Sequence, residues 1–252
     1  MCATCGCSSP STHSHEHGHD HHDHDHGQVV PMEQSLLAVN DRFAERNRGM
    51  FQALQVASVN LMSSPGSGKT ALLEHTLSGL QGALRTAVIV GDLATENDAD
   101  RLRAAGGTAH QIMTGAACHL DAHAVQHALD HVPLRELDLL LIENVGNLVC
   151  PASFDLGQDK QVVVLSTTEG EDKPLKYPVI FQGADVVLLN KIDLAEAVDF
   201  DRETALANIK QVAPTATIFV VSAKTGDGME AWLAYLTHLV HHKQHPAGHA
   251  HP

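Results

Sequence analysis

Long apolar runs are missing from this chain: no stretch approaches the roughly 18 residues that a membrane-crossing helix needs. The first residues offer Cys, Ser, His and Asp rather than the apolar core of a secretion signal. A cytoplasmic protein with no membrane partner is therefore predicted. Aromatic side chains are scarce, 4% of the residues with a single tryptophan, so the core must come from the Ala, Val and Leu that dominate a 43% hydrophobic content. That composition suits helices packed on a sheet. Basic residues are the minority, 16 against 30 acidic ones, for a net charge of −14 with histidine neutral. The imbalance argues against non-specific nucleic-acid binding and against anionic membranes, which both call for basic patches. An even cysteine set is also absent. Five cysteines in a reducing compartment do not make a closed disulfide framework, which leaves metal binding or catalysis as their expected use.

Histidine is what the chain has in excess, 20 residues in all, and with an ordinary pKa of about 6.5 they make the surface field depend on pH. Residues 1–30 read MCATCGC and then HSHEHGHDHHDHDHG. This low-complexity segment cannot bury a core and is predicted to be disordered without metal. Pro31 marks a change. Residues 31–55 carry helical spacing through Leu36, Leu37, Val39, Phe43 and Ala44, with Gly49 expected to interrupt or end the helix.

Over residues 56–240, apolar runs recur at 56–62, 85–92, 137–144, 161–166, 184–190 and 216–222, separated by helix-forming stretches such as TALLEHTLSGL and DRETALANIKQV. Runs of Val, Ile and Leu without period-two alternation are the signature of strands buried on both faces. The predicted fold is thus α/β, a mostly parallel sheet with helices on both faces. A last helix is expected from about Gly228 to Leu239, followed by a second histidine-rich tail, residues 241–252. Ligands of such sheets bind at the carboxyl ends of strands, so the residues just after each run are the candidates.

After the first run comes SSPGSGKT, Ser63 to Thr70, leading into ALLEHTL. A strand, a glycine loop, Lys-Thr and a helix in that order make a P-loop. Gly66, Ser67, Gly68, Lys69, Thr70 and Ala71 are the predicted phosphate contacts. The glycines admit backbone N–H groups to the phosphates, Lys69 reaches the β and γ groups, the Thr70 hydroxyl ligates Mg²⁺, and the helix N-terminus adds positive potential. Ser63 departs from the pattern, standing where a first glycine is usual.

The 184–190 run is followed by NKID, with Asn190, Lys191 and Asp193, and the 216–222 run by SAK, Ser222, Ala223 and Lys224. A carboxylate can accept both the N1–H and the 2-amino group of guanine, so these residues predict a GTP and GDP pocket. Asp92, after the second run, is placed toward the Mg²⁺ region. Glu143, in Glu143-Asn-Val-Gly146, stands where many GTPases carry Asp-x-x-Gly. It either orients a water on Mg²⁺ or the attacking water, or is a loop carboxylate paired with a lysine. Lys69, Thr70, Asp92 and Glu143 form the predicted catalytic set.

Two further cysteines lie in the domain, Cys118 with His119 beside it and Cys150 just past Glu143. Two thiols and an imidazole suit zinc or nickel, although free cysteines are as often small core residues. His119, His123, His127 and His131 recur every four residues, which a helix would align on one stripe. Solvated helical histidines are common, and only His119 is carried forward.

GSGKT, ENVGNLVCPASFDLG, TEGEDKPLKYP, TGAACHLDA and NKID together resemble the HypB family, SIMIBI-class GTPases that incorporate nickel during [NiFe]-hydrogenase maturation. The similarity runs from about Met32 to Leu239, and MCATCGC resembles the family's N-terminal Cys-x-x-Cys-Gly-Cys element. The resemblance implies that Cys118, His119 and Cys150 are metal ligands at a dimer interface, for nickel or zinc. It implies a separate nickel site at Cys2, Cys5 and Cys7. Nickel storage falls to the tail residues His13, His15, His17, His19, His21, His22, His24 and His26. Lys173 is expected to approach a partner's nucleotide. The implied function is a GTP-hydrolysing nickel metallochaperone that binds, stores and delivers nickel. The implied partners are a second copy on GTP binding, a nickel metallochaperone and the hydrogenase large-subunit precursor. A urease-maturation GTPase would carry Cys-Pro-His, and no such triplet occurs. A nickel buffer on an inert scaffold is argued against by Lys69, Thr70 and Asp193, and a cobalamin-enzyme GTPase chaperone would lack the tail and the Cys-His pair.

Overall fold

Neighbouring residues along the central strands are buried on opposite sides, and this two-sided burial organises the molecule. The computed structural model describes residues 29–92, 97–115 and 117–246. The strands are β1 (Ala57–Ser63), β2 (Thr86–Asp92), β3 (Thr108–Met113), β4 (Leu139–Glu143), β5 (Lys160–Ser166), β6 (Val186–Asn190) and β7 (Thr217–Val220). They form one parallel sheet in the order β3-β2-β4-β1-β5-β6-β7. The helices are α1 (Val29–Ala53), α2 (Lys69–Leu80), α3 (Asn97–Ala104), α4 (Ala122–Leu129), α5 (Lys173–Lys176), α6 (Pro178–Gln182), α7 (Arg202–Val212) and α8 (Met229–Gln244).

On one face Val59, Leu61, Val88, Leu141 and Val164 pack with Leu73 and Leu77 of α2, Leu102 of α3 and Trp232 of α8. On the other, Ile89 and Leu140 meet Phe51 of α1 and Val125 of α4, while Val163 and Val187 meet Phe181 of α6 and Ile209 of α7. The expected doubly covered parallel sheet is therefore present. Trp232 Nε1 donates to Thr76 Oγ1 (3.0 Å), joining α8 to α2. Among the described residues, no helix is long and apolar enough to cross a membrane.

Three details differ from the sequence expectation. A seventh strand, β3, escaped because TAHQIM is an edge strand in which only Ala109 is buried. Helix α8 continues to Gln244, carrying His241 and His242 into the helix. Helix α1 runs straight through Gly49. A methyl group there would meet nothing within 4 Å, so the glycine weakens the helix without breaking it.

Helix α1 is pinned to the domain by polar side chains. Asn40 Nδ2 donates to Asp155 O (2.8 Å), and its Oδ1 accepts from Ala122 N (2.9 Å). Asn47 Nδ2 donates to Ala122 O (2.9 Å) and Leu156 O (3.1 Å), and Arg48 pairs with Asp155. The helix backbone passes so close to Gly157 (φ +87°) that a Cβ there would lie 2.4 Å from Ala44 O.

Gly157→Ala is thus expected to destabilise the fold by about 2 kcal/mol or more. Gly49→Ala, at an exposed position of the same helix, should stabilise it by up to about 1 kcal/mol. Chemical denaturation of the two variants measures both; equal shifts would refute the docking described for α1.

Candidate nucleotide site and the adjoining cysteine cluster

Strand β1 ends at Ser63, the loop turns through Gly66 (φ +74°) and Gly68 (φ +94°), and α2 starts at Lys69. A Cβ on Gly68 would sit 2.8 Å from Asn190 Nδ2, so both the left-handed turn and the close approach require glycine. Lys69 is buried, and burial lowers its pKa against the opposing pull of the Glu143 carboxylate. Its Nζ donates to Ser63 Oγ (2.7 Å), Ser67 Oγ donates to the same oxygen (2.6 Å), and Ser63 Oγ donates to Ser64 O (2.7 Å). The serine that departs from the P-loop pattern is therefore the seat of the P-loop lysine. A hydroxyl at the fully buried end of a strand was its only sequence signal.

Thr70 Oγ1 donates to Glu143 Oε1 (2.9 Å). Burial raises the Glu143 pKa to about 7, although Lys69 and Thr70 both pull it down. Its Oε2 is buried with no hydrogen-bond partner among the described residues. Such an orphan acceptor is costly unless something supplies a donor or a cation. Lys69 is near enough to pull the Glu143 pKa down, but its ammonium hydrogen-bonds Ser63. These side chains, with Asp92 at the end of β2, line a cavity of about 410 Å³. Asp98 and Arg101 of α3 also line it; the sequence reading stopped at Asp92 and missed them, because a helical Asp-Arg pair looks like an ordinary solvated face.

A second cavity, about 220 Å³, opens beside Gly68 and Ala71 among Asn190, Lys191, Asp193, Ala223 and Lys224. Asn190 clamps the region: its Nδ2 donates to Ser67 O (3.0 Å) and its Oδ1 accepts from Ala223 N (3.1 Å). Lys191 Nζ donates to Gly66 O (2.6 Å). Ser222 Oγ donates to Asp193 Oδ1 (2.6 Å), and a carboxylate so held keeps lone pairs for further donors. A larger cavity of about 790 Å³ lies beneath α8 at the amino ends of β5 to β7. That is the wrong edge of a parallel sheet for a nucleotide, and its Lys160 is already paired with Asp185 (2.8 Å).

Cys118, His119 and Cys150 converge, with Cys118 Sγ 3.7 Å from His119 Nδ1 and all three ligand atoms within 4.8 Å of one another. All are half-buried, so the thiols are not core filling. Cys118 and His119 precede α4 rather than open it, since Asp121 caps that helix through Ala124 N (2.7 Å). The His119 ring lies against Phe154 (3.9 Å between centroids), and burial lowers its pKa, favouring the neutral, ligating form. The Cys150 thiol donates toward Cys118, and that bond holds its pKa up. A tetrahedral ion with bonds of about 2.0–2.3 Å separates its ligands by roughly 3.3–3.8 Å, so modest side-chain rotation closes this set on one cation.

The two sites are physically joined. Asn144 Oδ1, next to Glu143, accepts from Leu120 N (3.0 Å), next to His119. Gly146 is pressed on the P-loop, where a Cβ would lie 2.9 Å from Pro65 Cα, and Asn147 Nδ2 donates to Cys150 Sγ (3.6 Å). Lys173, at the start of α5, faces Glu169 (3.6 Å) and the Tyr177 ring (5.0 Å). Cys2, Cys5, Cys7 and the tail histidines His13 to His26 lie outside the described residues.

Residues 57–220 match the family model for the CobW/HypB/UreG nucleotide-binding domain. The chain is 53% identical over 209 residues to hydrogenase maturation factor HypB of Azotobacter vinelandii, covering 83% of this chain and 69% of that one. The chain belongs to the HypB family of hydrogenase maturation factors. HypB from Helicobacter pylori, solved in complex with nickel, matches with a TM-score of 0.76 at 40% identity, over 84% of this chain and 99% of that one. The signal recognition particle 54 kDa protein of Aeropyrum pernix K1, in complex with GDP, shares the fold at 14% identity, with a TM-score of 0.54 over 88% of this chain and 58% of that one. HypB membership makes residues 57–220 a nucleotide-binding domain of a P-loop NTPase family.

Ser63→Ala removes the Lys69 seat and leaves a buried ammonium short of an acceptor. A loss of about tenfold in nucleotide affinity is expected, read with a fluorescent nucleotide, together with a melting temperature lowered by a few degrees.

Proposed function

We propose that this HypB-family chain is a GTP-hydrolysing, cytoplasmic nickel metallochaperone that binds, stores and delivers nickel for [NiFe]-hydrogenase maturation. The observation that carries this reading is the Asn144 hydrogen bond from the loop of Glu143 to the loop of Cys118 and His119. A nucleotide contact and a metal-ligand pair are one residue away from either end of it.

In this reading GTP is held by Gly66, Ser67, Gly68, Lys69, Thr70 and Ala71 at its phosphates and by Asn190, Lys191, Asp193, Ser222, Ala223 and Lys224 at its base. Lys69 neutralises charge developing on the β and γ phosphates. Mg²⁺, when bound, is ligated through Thr70 and Asp92 and adds positive charge there. The orphan Oε2 of Glu143 orients water for attack on the γ phosphate, giving GDP and phosphate.

Nickel is the cargo, taken by Cys118, His119 and Cys150, with zinc a chemically suited competitor. Cys2, Cys5 and Cys7 form a second nickel site and the tail histidines a store, so residues 1–30 act as the receiving end. The 31–55 segment and the tail at 241–252 flank the 56–240 GTPase domain. The exposed Val149 beside Cys150 supports a homodimer closing over this cluster when GTP binds, with Lys173 reaching toward the partner's nucleotide. A partner metallochaperone and the hydrogenase large-subunit precursor then exchange nickel with it.

Asp193→Asn replaces an acceptor of the guanine N1–H and 2-amino groups by an amide. Loss of a charged hydrogen-bond pair worth about 1.5–3 kcal/mol should weaken GTP by roughly 10- to 150-fold and shift preference toward xanthosine triphosphate. Unchanged GTP affinity would overturn the guanine reading.

Gating is tested by the thiolate-to-nickel absorption of the nickel-loaded chain. Exchanging GDP for a non-hydrolysable GTP analogue should change it, and Cys118→Ala should abolish the change. A tenfold shift in nickel affinity needs only about 1.4 kcal/mol of coupling. Asn144→Ala should reduce that shift while leaving GTP binding in place; identical nickel affinity in both nucleotide states would refute gating.

A further inference from the structure

The cavity beside Lys69 and Thr70 is lined, among the described residues, by two cations, Lys69 and Arg101, and three carboxylates, Asp92, Asp98 and Glu143. That balance is short of positive charge for a ligand as anionic as a nucleoside triphosphate. Arg101 enters from the second turn of α3. Glu74 of α2 holds its guanidinium in a two-bond fork, Nε to Oε1 (3.0 Å) and Nη2 to Oε2 (2.8 Å). The fork fixes the plane of the group and uses two of its five N–H donors. A third reaches Asp98 Oδ1 at 3.4 Å, a long contact within the same helix, and two are left over among the described residues. Arg103 shows the difference: it pairs with Asp100 (2.7 Å), donates to Ala109 O (3.1 Å) and is not among the residues lining the cavity.

An ion pair this exposed, 48% for Arg101 and 30% for Glu74, stabilises a fold little. Its stronger effect is on orientation, because a guanidinium already held in one plane loses little freedom when a further acceptor arrives. Arg101 is also close enough to Glu143 to pull that carboxyl's pKa down, so its field reaches the group placed to orient water. We infer that Arg101 is a further catalytic residue, an arginine supplied by the chain's own α3 that donates to the γ phosphate of the bound nucleotide, with Glu74 as its positioning residue. This role rests on the GTP hydrolysis proposed above. Water attacks the γ phosphorus, the bond to the oxygen bridging the β and γ phosphates breaks, and that oxygen leaves with the electron pair. The two protons of the water leave on the released phosphate. The guanidinium stays protonated throughout; it transfers nothing and neutralises the charge gathering on the phosphate oxygens.

The test is single-turnover GTP hydrolysis by the full chain, with GDP affinity measured alongside. Arg101→Ala is expected to lose about a hundredfold or more in rate, with GDP affinity within about twofold of the unsubstituted chain. Free guanidinium ion added to the assay should restore part of that loss. Glu74→Ala leaves the arginine in place but unaligned, so it should lose only about tenfold. A merely structural ion pair behaves differently: the two variants break the same pair, so they would slow hydrolysis equally and guanidinium would restore neither. That pattern would overturn the inference, as would a rate in Arg101→Ala within about threefold of the unsubstituted chain. Absence of GTP turnover in the unsubstituted chain would instead remove the GTPase reading itself, and the role of Arg101 with it.

Discussion

Every strand of the sheet runs in the same direction, and this constraint places everything else. It puts Ser63, Asp92, Glu143 and Asn190, the last residues of their strands, on a single edge. The strand order then sets β2, β4 and β1 side by side, so Asp92, Glu143 and the P-loop share one cavity although they are far apart in the chain. Buried Lys69 and Glu143 are expensive to hold away from water. The apolar packing on both faces of the sheet offsets that cost.

The stretch from Glu143 to Cys150 is short, and it is fastened at several points. Asn144 ties it to the loop of His119, Gly146 rests against Pro65, and Asn147 holds both the Cys150 thiol and the backbone of Val149 (2.7 Å). A segment so tethered has few independent ways to move. Displacement at either end is passed on as a rigid shift rather than absorbed.

The central strands and the glycine turn into α2 were legible in the sequence because each rests on local chemistry: apolar continuity for strands buried on both faces, glycine spacing for a left-handed turn. Strand β3 was not, since an edge strand with a single buried residue carries no apolar run. Gly49 misled because the helix it interrupts in sequence is held by tertiary contacts at Asn40 and Asn47, which override local propensity. Ser63 and Asn144 act through partners that only folding supplies.

The single tryptophan has a consequence of its own. Trp232 is fully buried, and its indole N–H is bonded to Thr76, two turns along the helix that begins with Lys69. Indole emission is sensitive to the loss or bending of such a bond, and no second tryptophan dilutes the signal. The chain therefore carries an intrinsic fluorophore hydrogen-bonded to the helix that leaves its glycine loop, so motions of that helix are open to optical detection without any attached label.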